Sequence, residues 1–313
     1  MKKLVIATRK SKLALWQSEH IKALLKQRYP DLEVELLQMS TKGDKILDTP
    51  LAKIGGKGLF TKELELAMLD GRAHIAVHSL KDVPMEFPKG LTLAAITKRE
   101  DPTDALLSEK YSSIDELPEG AVVGTTSLRR RMQLLAYRKD LRIKSLRGNI
   151  NTRIQKLKDG EFDAIILASA GIKRLGISDS VRFATPIDTT EMIPAMGQAA
   201  LGIEAIDDPK VLEMIEFLND EEAFIETKVE RDFVTILQGG CQVPIGVHAK
   251  LNGDKIIVRA IIGMPDGSKM LKEKRVCNRS SYVQLGKELA DVMIENGAIT
   301  LLRSAQDMAE ELL

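Results

Sequence analysis

The sequence predicts an α/β fold of two doubly wound lobes followed by a smaller C-terminal α+β domain. Short apolar runs alternate with segments of helical period from residue 4 to residue 78, and the same alternation begins again at residue 121. A third unit begins near residue 221 with a helix and two further apolar runs. Alternating strands and helices are typical of a parallel sheet, whose ligands bind at the carboxyl ends of its strands.

The first lobe is predicted to be completed late in the chain. Aperiodic crossovers at residues 97–102 and 185–202 let the chain leave this lobe and return, so domain 1 is expected over residues 1–97 and 199–217. Residues 40–58 are rich in Gly, Lys and Asp, which predicts a long loop. The predicted elements are the strand 4–7, a helix capped by Ser11, the strand 34–39, the helix 59–69 and the strand 74–78.

Domain 2 is expected over residues 103–192 and domain 3 over residues 220–313. In domain 2 the predicted elements are the strand 121–124, the helix 127–137, the strand 142–146, the helix 149–158 and the strand 164–167. In domain 3 they are the helix 221–235, the strands 247–249 and 256–262, and the helix 281–296. Domain 3 carries Cys241 in the loop that follows its first helix.

Composition is that of an ordinary globular protein. The 313 residues have a net charge of +1, and no apolar run approaches the length that spans a membrane. Cys241 and Cys277 each lack a second cysteine nearby, so neither a disulfide framework nor a metal site is indicated. A cytoplasmic protein with no metal and no membrane partner is therefore expected.

Positive charge is concentrated in one segment of the second lobe. Residues 129–158 carry eleven Lys and Arg against the single Asp140. The lysines are equally well explained as a solvated face. The arginines lie close to Gly, Ser and Thr at the starts of predicted helices, where backbone N–H groups also attract anions, so this segment predicts an anion site.

Six short motifs span nearly the whole chain. They are Ile6–Ser11, Gly55–Phe60, Ala76–Pro84, Ser127–Arg130, Ser145–Asn149, and the segment from Glu230 to Pro244 that contains Gly-Gly-Cys-Gln-Val-Pro. Each is weakly specific alone, but in this order they resemble the porphobilinogen deaminase family, also called hydroxymethylbilane synthase. Thr126 and Ala199 stand where the family often has serine and glycine, which puts the local geometry there in doubt.

The resemblance implies an enzyme of tetrapyrrole and haem synthesis. Such a deaminating transferase joins four porphobilinogen molecules head to tail with loss of ammonia and then releases hydroxymethylbilane by hydrolysis. In this family a loop cysteine anchors a dipyrromethane cofactor through a thioether, so Cys241 is expected to hold dipyrromethane covalently. Gly239 and Gly240 leave room beside that thiol, whereas Cys277, in a polar stretch, is expected to be inert.

Basic and hydroxyl side chains are expected to hold the carboxylates that pyrrole units carry, because guanidinium groups pair with carboxylates through two hydrogen bonds. By resemblance, the cofactor-binding residues are Cys241, Arg9, Ser11, Lys81, Asp82, Thr125, Ser127, Arg129, Arg130 and Arg147. The substrate-binding residues are Arg9, Arg147, Arg153, Arg174, Lys53 and Lys57. The two lysines are equally well explained as solvated loop residues, and Arg131 is expected to be solvated.

Asp82 is the predicted catalytic residue. A carboxylate near the pyrrole N–H groups can stabilise cationic charge and transfer protons. Without the resemblance, an Asp before Val83 and Pro84 is better explained as a turn or cap residue.

Three other classes of protein remain open from the residues alone. The two-lobed outline resembles type II periplasmic binding proteins, and an anion-binding protein without catalysis would use the same arginines, although no export signal is recognised. A nucleic-acid binder would favour the basic segment, but Tyr137 is its only aromatic residue, which does not support base stacking. A thiol hydrolase would need His78 or His248 as its base. The expected partner is porphobilinogen, with no nucleic acid, and the expected state is a monomer.

Overall fold

The computed structural model of the chain describes residues 1–45, 59–237 and 243–311. Within these ranges the chain forms two compact units. Unit 1 contains residues 1–45, 59–100 and 199–224, and unit 2 contains residues 101–198, 225–237 and 243–311. None of the described helices is long and apolar enough to cross a lipid bilayer.

Thirteen strands and ten α-helices make up the described part of the chain. The strands are β1 (Lys3–Arg9), β2 (Glu33–Met39), β3 (Ile75–Ser79), β4 (Leu91–Ile96), β5 (Asp104–Ser108), β6 (Val122–Gly124), β7 (Arg142–Lys144), β8 (Ala164–Ala168), β9 (Phe183–Ile187), β10 (Leu201–Ile206), β11 (Ile245–Asn252), β12 (Lys255–Gly263) and β13 (Met270–Asn278). The helices are α1 (Lys12–Arg28), α2 (Lys42–Lys45), α3 (Lys62–Leu69), α4 (Leu128–Tyr137), α5 (Ile150–Lys158), α6 (Ser169–Leu175), α7 (Pro209–Ile215), α8 (Glu221–Ile236), α9 (Tyr282–Glu295) and α10 (Ala298–Glu311). Short 3-10 turns cover Leu80–Asp82, Ser178–Ser180, Glu216–Leu218 and Arg279–Ser281.

The sheet of unit 1 has the strand order β2-β1-β3-β10-β4. β1 runs parallel to β2 and β3, whereas β10 runs antiparallel to β3 and β4. The predicted parallel pairing therefore holds among β1, β2 and β3 but not for β10, and the α/β fold is confirmed. The chain enters β10 from a segment without regular structure, so no alternation of strand and helix marked β10 in the sequence.

Helices cover both faces of this sheet. Ile75 and Val77 of β3 belong to a buried apolar cluster with Ile21 of α1 on one face. Ala76, between them, belongs to a second cluster with Leu64 of α3 on the other face. Because successive side chains of a strand point to opposite faces, β3 presents Ala76 and the next residue but one, His78, to the α3 side.

The first sheet of unit 2 repeats this topology with the strand order β7-β6-β8-β5-β9. β6 runs parallel to β7 and β8, and β5 runs antiparallel to β8 and β9. Leu106, Val123 and Ile166 are buried in one apolar cluster of this sheet, and Leu107 and Ile165 in another. Helices α4 and α5 begin where β6 and β7 end, as the sequence predicted.

The C-terminal part of unit 2 is an antiparallel sheet, β11-β12-β13, with α9 against β13 and α10 against β12. The sequence predicted two strands and one helix here, so β13 and α10 were missed. β13 lies at an edge of the sheet, four of its nine residues are charged and none is buried, which weakens its hydrophobic signal. Gly297, with φ at 91°, ends α9 and allows a second helix to begin at once.

Candidate active site

A small cavity in unit 1 brings together residues from three sequence-distant segments. Its volume is about 80 Å³, which is room for a few water molecules. Arg9, Ser11, Leu13, Ala14, Gln17, Phe60, Thr61, Val77, His78, Ser79 and Asp82 line it, and we call it the Asp82 cavity. It contains three of the residues predicted from the sequence, namely Arg9, Ser11 and Asp82.

The N-terminus of α1 forms one wall of the Asp82 cavity. Ser11 caps the helix, because its Oγ accepts a hydrogen bond from the Ala14 backbone at 3.4 Å. The other first-turn N–H groups of a helix have no partner within that helix and attract anions. Gln17, buried one turn later, donates from Nε2 to Ser79 Oγ at 2.9 Å and so ties α1 to the end of β3.

Arg9 is held over an aromatic ring at the end of β1. Its guanidinium carbon lies 4.4 Å from the centroid of the Phe60 ring, a cation–π contact. Gly43 packs so closely against the same ring that a Cβ there would overlap it. The Phe60 ring thus contacts both Gly43 and Arg9, and the Arg9 side chain lines the cavity.

Asp82 is the last residue of a 3-10 turn that is held by a buried apolar cluster and by backbone hydrogen bonds. Leu80 and Val83 are buried in one apolar cluster with Ala200. The Leu80 N–H donates to the Ala200 carbonyl at 3.0 Å, and the Val83 N–H closes the turn onto Leu80 at 3.1 Å. Asp82 itself is exposed on this rigid turn, with half-buried Lys81 before it. A carboxylate so placed is open to a ligand in the cavity.

The sequence did not predict a buried pair next to the Asp82 cavity, formed by His78 and Glu204. His78 Nε2 lies 2.9 Å from Glu204 Oε2, and the side chains are 6% and 0% exposed. Glu65 of α3 is also buried and accepts a hydrogen bond from Thr61 Oγ1 at 2.6 Å. No local motif links His78 to Glu204, because they are 126 positions apart and meet only through β3 and β10.

In unit 2, Thr125 and Ser127 shape the start of α4. Ser127 caps the helix by accepting from the Arg130 backbone at 3.4 Å, and its own N–H donates to Thr125 Oγ1 at 3.1 Å. Thr126 is exposed, and its Oγ1 donates to the Leu146 carbonyl at 3.2 Å. The resulting turn leaves first-turn N–H groups of α4 for an anion.

Arg129 and Arg130 point into the lobe and not toward solvent. They are 4% and 7% exposed, and both guanidinium groups lie 2.7 Å from the carboxylate of fully buried Asp104. Arg129 also donates to the Ile193 carbonyl and Arg130 to the Ile166 carbonyl. Burial alone would raise the pKa of Asp104, but the two guanidinium charges outweigh it and hold that pKa well below its ordinary value.

Three further predicted arginines of unit 2 are half-buried. Arg147 comes just before the cap of α5, where Asn149 accepts from the Thr152 backbone at 3.0 Å. Arg153, in the second turn, donates from Nε to the Gly148 carbonyl at 2.8 Å. Arg174 lies in the last turn of α6. Gly148 has φ at 104°, a conformation that favours glycine, so the turn between Arg147 and α5 depends on it.

Arg131 differs from its expected solvated state. It is half-buried and donates from Nη1 to the Ile143 carbonyl at 3.3 Å. Burial lowers the pKa of this guanidinium, which Asp266 partly offsets. Arg131 therefore helps to hold α4 against the end of β7.

Some of the sequence predictions fall outside the described residues. Cys241, Lys53 and Lys57 lie there, as does most of the predicted loop 40–58. Cys277, in contrast, is half-buried on β13 as a free thiol, and burial raises its pKa. Among the described residues, no group of three or more His, Cys, Asp or Glu side chains could hold a metal ion.

The chain is similar to proteins of known family along nearly its full length. Residues 4–213 match the family model described as "Porphobilinogen deaminase, dipyromethane cofactor binding domain", and residues 224–295 match "Porphobilinogen deaminase, C-terminal domain". A curated porphobilinogen deaminase of Nitratiruptor sp. is 65% identical over 308 residues, covering 98% of each chain. One from Campylobacter curvus is 62% identical over 309 residues, covering 99% of each chain.

Solved structures of periplasmic solute-binding proteins are more distant. A putative methionine-binding lipoprotein of Bacillus subtilis has a TM-score of 0.41 and 15% identity, and the alignment covers 71% of this chain and 92% of that one.

Proposed function

This chain belongs to the porphobilinogen deaminase family, and we propose that it joins four porphobilinogen molecules head to tail and then releases hydroxymethylbilane. The observation that carries the proposal is the Asp82 cavity, where an exposed carboxylate, a stacked guanidinium and a helix N-terminus meet within a chain that matches the family over both of its domains. A carboxylate in the same cavity as Arg9 argues against an anion-binding protein without catalysis, because it repels a bound anion.

The described residues fit a dipyrromethane cofactor. Two linked pyrrole units carry four carboxylates, and the chain supplies guanidinium groups beside capped helix N-termini at Ser11, Ser127 and Asn149. We propose that Arg9, Ser11, Lys81, Asp82, Thr125, Ser127 and Arg147 hold the cofactor and that Cys241 anchors it covalently. Bound dipyrromethane supplies the free pyrrole carbon at which polymerisation begins.

Arg129 and Arg130 support the cofactor in a different way. Their side chains are engaged with Asp104 and backbone carbonyls, so their guanidinium groups fix the position of α4. We propose that they act on the cofactor through the backbone N–H groups and the Ser127 cap at the start of that helix. Arg147, Arg153 and Arg174, which are only half-buried, are the arginines that contact substrate carboxylates directly, together with Arg9, Lys53 and Lys57.

Asp82 carries the proton chemistry. In each addition the bond between the aminomethyl carbon of porphobilinogen and its nitrogen, which is protonated as an ammonium group, breaks, and the nitrogen leaves as ammonia with the bonding electrons. A carbon–carbon bond forms to the free α-carbon of the acceptor pyrrole, whose hydrogen leaves as a proton. The Asp82 carboxylate accepts hydrogen bonds from pyrrole N–H groups, stabilises the positive charge that develops, and takes up that proton.

Three further proposals concern the oligomeric state, the cellular location and the absence of a nucleic-acid partner. We infer that the chain acts as a monomer in the cytoplasm and without a nucleic-acid partner. Sedimentation of the purified protein over a range of concentrations tests the first claim, and binding to labelled single-stranded and duplex oligonucleotides tests the last.

Intact mass and product formation test the function together. The purified protein should be heavier than its sequence by one dipyrromethane, on the peptide that contains Cys241, and should convert porphobilinogen to hydroxymethylbilane. Cys241→Ser should lack the added mass, whereas Cys277→Ser should keep both mass and activity. An unmodified parent protein that forms no product would contradict the proposal.

A further inference from the structure

The strand register brings His78 and Glu204 together behind the Asp82 cavity. His78 of β3 lies directly opposite Gly202 of β10, so Glu204, two residues further along β10, is its diagonal neighbour on the same face. The imidazole Nε2 and the Glu204 carboxylate are 2.9 Å apart. His78 also lines the Asp82 cavity, whereas Glu204 is fully buried.

The contact with Glu204 determines which imidazole nitrogen of His78 is available to accept a proton. An ionised Glu204 carboxylate can only accept, so the hydrogen between the two groups then belongs to Nε2, and Nδ1 of the neutral imidazole holds the lone pair. A carboxylate that orients a histidine in this way is a recurrent arrangement for moving protons. Glu204 Oε1 is buried without a hydrogen-bond partner among the described residues, which is costly for a carboxylate kept only to fill space.

The other charged groups around His78 come from three elements. Glu65 of α3 is buried, and burial together with the charge of Glu204 raises its pKa. Arg9 at the end of β1 and Asp82 after β3 share the cavity wall with His78. Among the described residues, Glu65, Glu204 and Asp82 are therefore the carboxyl groups near the imidazole.

We propose that His78, positioned by Glu204, receives the proton that Asp82 collects in each addition. The inference rests on the proposed function. Asp82 can stabilise cationic charge only as a carboxylate, so it must lose its proton before the next porphobilinogen arrives. The proton passes from Asp82 to Nδ1 of His78 through the cavity and then to the departing ammonia, which leaves as ammonium. His78 thus takes up and gives up a proton itself, and Glu204, which orients its imidazole, is the positioning residue.

Histidine NMR tests the coupling without any turnover. The chain has only four histidines, so labelling them with nitrogen-15 gives a resolvable set, and loss of signals in His78→Gln identifies His78. We expect neutral His78 to carry its hydrogen on Nε2. The titration midpoint of His78 should move in Glu204→Gln and in Asp82→Asn, while that of His74 stays fixed. An unmoved His78 midpoint in both variants would overturn the proposal.

The pH profile of single-turnover addition, measured per primed enzyme, tests the role in the reaction. His78→Gln keeps a donor for Glu204 but cannot take up a proton, so the rate should fall by about 10²-fold with little change in KM, and one ionisation should leave the profile. Glu204→Gln should shift the pH at which the same ionisation appears in the profile. If His78→Gln does not fold, the profile of Glu204→Gln tests the proposal by itself. His74→Asn, which keeps an acceptor for the Val5 N–H, is the matched control.

Different results would refute the proposed function and the role of His78. A parent protein that forms no hydroxymethylbilane would refute the proposed function itself. A parent that forms it, with a His78→Gln variant that keeps the parental pH profile, would refute only the role of His78.

Discussion

The two doubly wound sheets share a strand order, and each buries a carboxylate on its fourth strand, the one that runs antiparallel to the third. In unit 1 this strand is β10 and the carboxylate is Glu204, paired with His78. In unit 2 it is β5 and the carboxylate is Asp104, paired with Arg129 and Arg130. Both carboxylates are 0% exposed, so the difference lies in their partners.

The partners decide what each buried pair can do. Arginine stays protonated throughout the physiological range, so Asp104 sits in a cluster of fixed charge that ties α4 to the sheet. The unit 1 pair holds an imidazole in place of the two guanidinium groups, and that imidazole lines a cavity. The same topological position thus carries a buried ion-pair cluster in one lobe and, in the other, the pair for which we propose a role in proton transfer.

The largest expected effect is on turnover and comes from changing Asp82 in the cavity of unit 1. Asp82→Asn keeps the size of the side chain but removes the charge and the proton acceptor, so turnover per primed enzyme should fall by ~10²–10⁴-fold. Asp82 is exposed, so the unfolding transition should stay close to that of the parent. Stopped-time product assays with mass spectrometry of the enzyme-bound species measure both turnover and priming.

Asp82→Glu is the matched variant. It retains a carboxylate at the wrong distance, and it should show activity above Asp82→Asn but well below the parent, because catalysis is sensitive to displacements of about an ångström. Turnover by primed Asp82→Asn within a few fold of the parent would make Asp82 a turn residue only.

Asp104→Asn tests the scaffold side and should act on stability. It leaves two buried guanidinium groups without their counter-charge, so the free energy of unfolding should drop by about 3–5 kcal/mol. Urea unfolding followed by circular dichroism measures the change. Asp140→Asn is the control, because the Arg138–Asp140 pair of the same lobe is partly exposed and its loss should be much smaller. Equal losses in the two variants would argue against Asp104 as the anchor of α4.

The same pair gives a pH dependence with a definite sign. The pKa of Asp104 lies well below its ordinary value in the folded protein. As pH falls below about 4, the unfolded chain binds a proton at Asp104 that the folded chain does not, so stability must fall toward acid pH. Unfolding free energies measured from pH 7 to pH 3 should decline less steeply in Asp104→Asn than in the parent. Parallel curves would refute the assignment.

The comparison also shows what a single sequence can predict. Ser11, Ser127 and Asn149 were placed at helix starts because capping is local, and the structure has each as an N-cap. Glu204 carried no such signal, since its partner is 126 positions away and β10 follows an irregular segment. Pairings across the sheet depend on strand order, which periodicity alone does not give.

Charge patterning was informative in one respect and misleading in another. The arginine-rich segment was predicted to bind anions, which stays a prediction, but its arginines divide into buried and half-buried sets that look alike in the sequence. Arg129 and Arg130 are distinguished only by Asp104, which lies on β5, 25 positions before the first of them. Their role toward the cofactor, like that of Cys241, stays a prediction.

A smaller effect is expected for the half-buried arginines. Arg153→Leu or Arg147→Leu should cost on the order of 1–3 kcal/mol in binding for each lost charged contact with a substrate carboxylate. Elongation should stall, and mass spectrometry should show altered populations of enzyme-bound intermediates. Arg142→Leu, an exposed arginine of the same lobe, is the control. Unchanged populations in the first two variants would make these arginines part of the scaffold, like Arg129.

The smallest expected effect is at Ala199, just before the strand that carries Glu204. Its φ is 80°, and it is the only non-glycine residue of the described chain with positive φ. An L-residue with a Cβ is strained in this region, so Ala199→Gly should stabilise unit 1 by about 1 kcal/mol at most, after the greater freedom of glycine in the unfolded chain is subtracted.

Ala200→Gly provides the opposite sign at the next position. Ala200 is fully buried beside Leu80 and Val83 beneath the Asp82 turn, so losing its methyl group should destabilise the protein and loosen that turn. Thermal unfolding of the two variants side by side measures the signs. Ala199→Gly could raise the unfolding temperature and at the same time slow turnover. That result would show that the strained backbone at Ala199 helps to hold β10, and with it Glu204, in register with His78. Destabilisation by both changes would show that the Ala199 side chain contributes packing that outweighs its backbone strain.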